Sequence, residues 1–151
     1  MDSASEFCRL LDSQPLPERA DVILVLRNWD PVMTKERFDL ACDLFDKQLA
    51  PIMLMSYDSN TKQEAVRFHR IVKHMGWNSV VLVTHRSHSY RAMLTFLSEF
   101  DNELVYMVSV PSATEPDEFE KIIQYQKQGD TVSYEEGLKW IRTHSPSVSL
   151  T

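Results

Sequence analysis

The sequence reads as a three-layer α/β sandwich around a mainly parallel sheet of about four to five strands. Two observations carry that reading. Val22-Ile23-Leu24-Val25-Leu26 and Val80-Val81-Leu82-Val83 are aliphatic runs without polar alternation, the pattern of strands covered on both faces. Between such runs lie amphipathic stretches long enough to be the helices that parallel crossovers require. An all-β or helix-bundle reading leaves the aliphatic runs without a use.

The elements follow in order. Phe7, Leu10 and Leu11 predict a short helix over residues 6–13, ended by Pro15-Leu16-Pro17. Residues 22–26 form the first core strand, with Arg27, Asn28, Trp29 and Asp30 beyond it. A helix runs from Thr34 as N-cap to Gln48, with Phe38, Ala41, Leu44 and Phe45 as its buried stripe and Glu36 in its first turn. Residues 52–55 form the next strand. A helix over 61–74 turns Ala65, Phe68, Ile71 and Val72 inward, and Gly76 closes it in the left-handed position. The strand at 80–83 leads into a helix over 87–99, with Ala92, Met93, Phe96 and Leu97 at helical spacing. A strand at 104–110 ends at Pro111. Helices over 116–127, with Phe119, Ile122, Ile123 and Tyr125, and over 134–143, with Leu138, Trp140 and Ile141 as apolar stripe, complete the chain, separated by the Gly129-Asp130 turn and followed by a frayed tail from Ser145. The whole is expected to be one domain over 1–151: an N-terminal helix and turn (1–19), a core (20–110) and C-terminal helices (111–151).

Composition narrows the function. The 151 residues carry 16 basic and 22 acidic side chains, a net charge of -6, with the basic residues dispersed. A nucleic-acid partner is therefore not expected, because binding the phosphate backbone needs a concentrated basic face. Cys8 and Cys42 show neither metal-ligand spacing nor a disulfide framework, which suits a reducing cytoplasm. There is no signal-peptide pattern and no apolar run near the ~18 residues that cross a bilayer, so no membrane partner is expected. Three glycines in the whole chain rule out a glycine-rich phosphate loop.

Three strand ends carry the polar chemistry. Arg27, Asn28, Trp29 and Asp30 follow the first, and Ser56, Asp58, Ser59, Asn60 and Thr61 follow the second. Thr84, His85, Ser87, His88 and Arg91 follow the third. A parallel sheet brings these ends to one edge, where helix N-termini favour an anionic ligand. His88 and Arg91 lie three apart and share a helix face, so one would exchange a proton while the other holds an anion. The alternative is that His88 caps local structure and Arg91 pairs with a carboxylate. Metal binding by His85 and His88 lacks a third ligand, since His69, His74 and His144 fall away from the strand ends; His69 and His74 read as surface residues. Ser87 or Ser89 beside His88 lacks a nucleophile elbow, with Asp30 and Asp58 as the available acids. Trp29 either stacks on a planar ligand or packs against the N-terminal helix.

Asn60-Thr61, Gly76-Trp77, Val83-Thr84, His88 and Arg91-Ala92 together resemble the bacterial family typified by YdcF, SanA and ElyC. In that family Ser-x-Asn-Thr-x-Glu-Asn-Ala opens one helix, and Val-Thr-Ser-x-x-His-x-x-Arg-Ala joins a strand to the next. Arg37-x-x-x-Ala41-x-x-Leu44 and the strand from Ala20 to Leu26 are similar to the family's first helix and first strand. The resemblance covers residues 20–110. Arg27-Asn28-Trp29-Asp30 stands in place of a glycine-containing loop, and the acidic residue after Asn-Thr is displaced by one position to Glu64, about 100° around a helix. The resemblance implies a Rossmann-like domain with an anion-binding site, and S-adenosylmethionine binding is associated with one branch of the family. The expected ligand is thus a small anionic, phosphate- or nucleotide-containing molecule. His88 is the expected acid or base, and Arg27, Asn28, Asn60, Thr61, Thr84, His85 and Arg91 the expected ligand-binding residues. A non-catalytic metabolite sensor is the second reading. A protein-interaction module using Tyr125, Tyr134 and Trp140 is the third. Cofactor and oligomeric state are left open.

Overall fold

A computed structural model describes residues 2–56 and 60–144. Its elements are α1 (Ser3–Asp12), β1 (Val22–Val25), α2 (Pro31–Asp46), β2 (Met53–Met55), α3 (Thr61–Met75), β3 (Ser79–His85), α4 (Arg86–Leu97), β4 (Leu104–Val110), α5 (Pro116–Lys127) and α6 (Tyr134–His144). The four strands form an all-parallel sheet in the order β2-β1-β3-β4. β1 is buried along its whole length, which is why its residues show no polar alternation.

The pleat divides the core in two. Val22, Leu24, Val80 and Leu82 face α1, α3, α4, α5 and α6, while Ile23, Val25, Val81 and Val83 face α2 and the Leu49-Ala50 segment beyond it. The chain steps from β1 to β2 in one direction and then crosses back past β1 to β3. Crossovers of constant hand running in opposite directions put their helices on opposite faces. The carboxyl ends of β1 and β3 therefore flank a topological switch point, the place where open α/β sheets bind ligands.

The capping details hold this edge in shape. Asp30 accepts from the Val32 N–H at 2.9 Å and Pro31 takes the first helical position, so α2 begins earlier than the Thr34 start read from the sequence. The Asn60 side chain caps α3 by accepting from the Gln63 N–H at 2.8 Å. Gly76 closes that helix at φ 71°, a left-handed conformation that glycine adopts without Cβ strain.

Two expectations about buried faces are corrected. On α2 the sheet-facing row is Arg37, Leu40, Ala41 and Leu44, while Phe38 is 39% exposed and Phe45 38%. The helix is turned so that Arg37 reaches the strand ends, and the two phenylalanines are carried to its flank. Ile71 is half-exposed on α3, as are Phe119 and Ile123 on α5, because each of these helices covers the core with a narrower stripe than its apolar content suggests. Tyr134 and Trp140 pack on the core, as read for Trp140 from its place in the helix's apolar stripe, and neither is left for an exposed interaction surface. Asp58, Ser59 and the tail from Ser145 lie outside the described residues.

The outer edge of β4 is partly closed by a side chain. The Gln14 amide donates to the Val105 carbonyl at 3.0 Å and accepts from the Met107 N–H at 3.0 Å, occupying ladder positions that an incoming strand would use. No described helix is long and apolar enough to cross a membrane.

Candidate functional site

The centre of the site is a buried cation. Arg37 is 2% exposed; its Nη1 donates to the Leu26 carbonyl at 2.6 Å and its Nε donates to His85 Nδ1 at 2.8 Å. Burial lowers its pKa to about 10, with the nearby Glu64 carboxylate opposing the shift, so the guanidinium stays charged at neutral pH. Because His85 Nδ1 accepts a hydrogen bond, its proton sits on Nε2, which meets Glu36 Oε1 at 3.3 Å. Burial, then the charge of Arg37, hold the His85 pKa below its ordinary value.

Glu64 lies in the first turn of α3 and is buried. It accepts from Ser56 Oγ, which in turn accepts from the Arg27 backbone N–H at 3.0 Å. This relay joins the ends of β1 and β2 to α3. His88, in the first turn of α4, places Nε2 3.3 Å from Thr61 Oγ1. Burial is the main cause that keeps the His88 pKa well below its ordinary value, followed by the positive charges of Arg91, Arg37 and Lys121. The ring is therefore neutral at pH 7, with one ring nitrogen unprotonated.

These groups border a chamber of about 670 Å³. Its walls carry four cationic side chains, Arg27, Arg37, Arg91 and Lys121, against the two carboxylates Glu64 and Glu118. A neighbouring cavity of about 410 Å³ shares Asn60, Thr61, Arg91 and Tyr125 with it. Arg91 is held by Glu118 of α5, with Nε donating to Oε2 at 2.8 Å, and its guanidinium lies 5.5 Å from the Tyr125 ring centroid. The carboxylate pairing expected as the alternative for Arg91 is thus present, on the wall of the chamber.

Of the residues expected from the sequence, Arg27, Asn28, Asn60, Thr61, His88 and Arg91 all line the chamber. Thr84 and His85 do not, and the reason is the two-residue period of a strand. Thr84 follows Val80 and Leu82 into the helix-packed layer, where it is fully buried and its hydroxyl has no hydrogen-bond partner among the described residues. His85 follows Val81 and Val83 to the other face and stands behind Arg37 as a positioning residue. Ser89 is buried, its hydroxyl donating to the Arg86 carbonyl at 2.9 Å, and Asp30 caps α2, so neither joins His88 in a nucleophilic triad.

Sequence reasoning passed over Arg37 and Glu118 as site residues. The available signal for Arg37 was a charged residue in an apolar row, in register with Ala41 and Leu44. Glu118 offered none, because its approach depends on how α5 docks.

A second polar cluster lies at the opposite end of the sheet. His69, Asp101 and Glu103 bring ligand atoms within 4.8 Å of one another, and His69 Nε2 meets Glu103 Oε1 at 3.1 Å. His69 is thus more than a plain surface residue. The Lys73 ammonium sits 3.2 Å from Asp101 and 3.4 Å from Glu103, so a cation already neutralises the cluster. No family model matches this chain, and no curated protein matches it.

Proposed function

We propose that this chain is a YdcF-like domain that binds a small anionic, phosphate- or nucleotide-containing ligand in the chamber beyond β1 and β3, with His88 as the proton acceptor. The observation that supports it most is Arg37. A buried charge is retained at a switch point only where its surroundings compensate it. Two of its nitrogens are engaged by Leu26 and His85, while Arg37 also lines the chamber. An anion there would meet Arg37, Arg27 and Lys121 together, beside the N-termini of α2, α3 and α4. A cytoplasmic setting belongs to the same proposal, because Cys8 and Cys42 are both unbridged.

A binding-only role is the second reading. The hydroxyl of Thr61 meets His88 Nε2 and Glu118 engages Arg91, an arrangement that recognises a ligand without a paired acid and base. Thermal-shift measurements with inorganic phosphate, AMP and S-adenosylmethionine test the shared claim. A ligand at ~100 times its dissociation constant stabilises by about 2.7 kcal/mol, which is about 5–10 °C for a chain of this size. Arg37→Gln, confirmed as folded by circular dichroism, should lose most of that shift. An unchanged melting temperature with all three compounds would rule out the anion chamber.

A further inference from the structure

We infer that Trp29 is a stacking platform for an aromatic ring carried by the anionic ligand, so that the chamber selects nucleotides over sugar phosphates. The inference rests on the anion reading above and adds its specificity. Trp29 is 92% exposed and stands at the chamber mouth, where it also borders a groove of about 530 Å³ lined by Pro31, Phe38 and Met55 together with Arg27, Thr34 and Lys35. An indole is among the largest apolar surfaces a chain can display, and burying it is the usual outcome.

The turn that presents this indole is braced on both sides. The Asn28 N–H donates to Thr34 Oγ1 at 3.0 Å, and the same hydroxyl donates to the Asn28 carbonyl at 2.7 Å. Asn28 Oδ1 accepts from the Asp30 N–H at 2.8 Å, and Pro31 restricts the backbone immediately beyond. Thr34 has left the capping role to Asp30 and instead holds the residue before Trp29. A platform held in place loses little freedom when a ring settles on it. The cation-rich chamber on one side of Trp29 and a groove walled in part by Pro31, Phe38 and Met55 on the other match a ligand with a phosphate at one end and a base at the other. Every nucleobase offers a π-face, so the platform favours nucleotides as a class.

Isothermal titration calorimetry of the full chain with AMP, ribose 5-phosphate and inorganic phosphate tests the inference. AMP should bind about tenfold more tightly than ribose 5-phosphate, the usual worth of one base stacked on an aromatic side chain. Trp29→Ala should bring that ratio close to one, and Trp29→Phe should restore most of it. Equal affinities for AMP and ribose 5-phosphate in the unaltered chain, or a ratio unchanged in Trp29→Ala, overturn the role of Trp29 while phosphate binding upholds the chamber. Absence of binding by all three compounds overturns both.

Discussion

Arg37 and His85 show how one charge is kept inside a protein. The guanidinium is desolvated, yet the Leu26 carbonyl and His85 Nδ1 accept its N–H groups, and Glu64 supplies opposite charge. His85 and His88 are both neutral in the fold because burial and nearby cations lower their pKa values. The unfolded chain protonates them at the ordinary value, so it binds more protons than the folded one just below pH 6.5. Stability contributed by the neutral rings is therefore present above that pH and lost as pH falls. Urea unfolding at pH 7.5, 6.5 and 5.5 should show stability falling with pH, the slope being at most about 1.4 kcal/mol per pH unit for each histidine and steeper for His88 than for His85. His88→Gln should remove one share of the slope; an equally steep decline in that variant would contradict the assignment. His85 and His88 were legible as residue types following a strand, whereas Arg37, in the middle of a helix, was not. The partner of each was not, since Arg37 and His85 are far apart in the chain and meet only when α2 docks.

Helix packing sets the tightest constraint among the elements. Gly137 of α6 lies against α1 and α4: a Cβ there would stand 2.6 Å from Leu94 Cδ2 and 2.8 Å from Phe7 Cε1. Neither atom has room to retreat, because Phe7 and Leu94 are both fully buried. Gly137→Ala gains helix propensity of up to ~1 kcal/mol but overpacks at a cost of about 1–3 kcal/mol. The expected net outcome is a loss of stability, read as a lower urea midpoint with an unchanged slope. A midpoint equal to or above that of the parent chain would show that α6 shifts freely. The sequence places this glycine inside a helix, where propensity alone argues for replacing it. Its need is set by two side chains on other helices.

At the scale of the whole molecule, the two faces of the sheet are unequally covered. α2 with the Leu49-Ala50 segment covers one, while among the described residues five helices cover the other, so the larger core depends on elements from both ends of the chain. α1 contributes Phe7, Leu10 and Leu11, all buried, and Tyr90 of α4 donates to Asp12 at 2.9 Å. Burying three such side chains is worth about 5–9 kcal/mol, comparable with the 5–15 kcal/mol that stabilises an ordinary domain. Deleting residues 1–13 should therefore abolish the cooperative thermal transition followed by circular dichroism. A truncated chain that melts cooperatively within a few degrees of the parent would show α1 to be an appendage.

Hydrophobic period and turn chemistry are local, so the chain by itself determined the order of strands and helices, the parallel sheet that their spacing requires, and the edge where polar strand ends collect. The tertiary structure alone decided which of those polar groups share a chamber. A strand sends successive side chains to opposite faces, which separates Thr84 from His85 and both from His88. Helix docking then brings Arg37, Glu64 and Glu118 from three different helices to the same walls. Contacts of that kind depend on the relative rotation of packed elements, a quantity that no stretch of sequence contains.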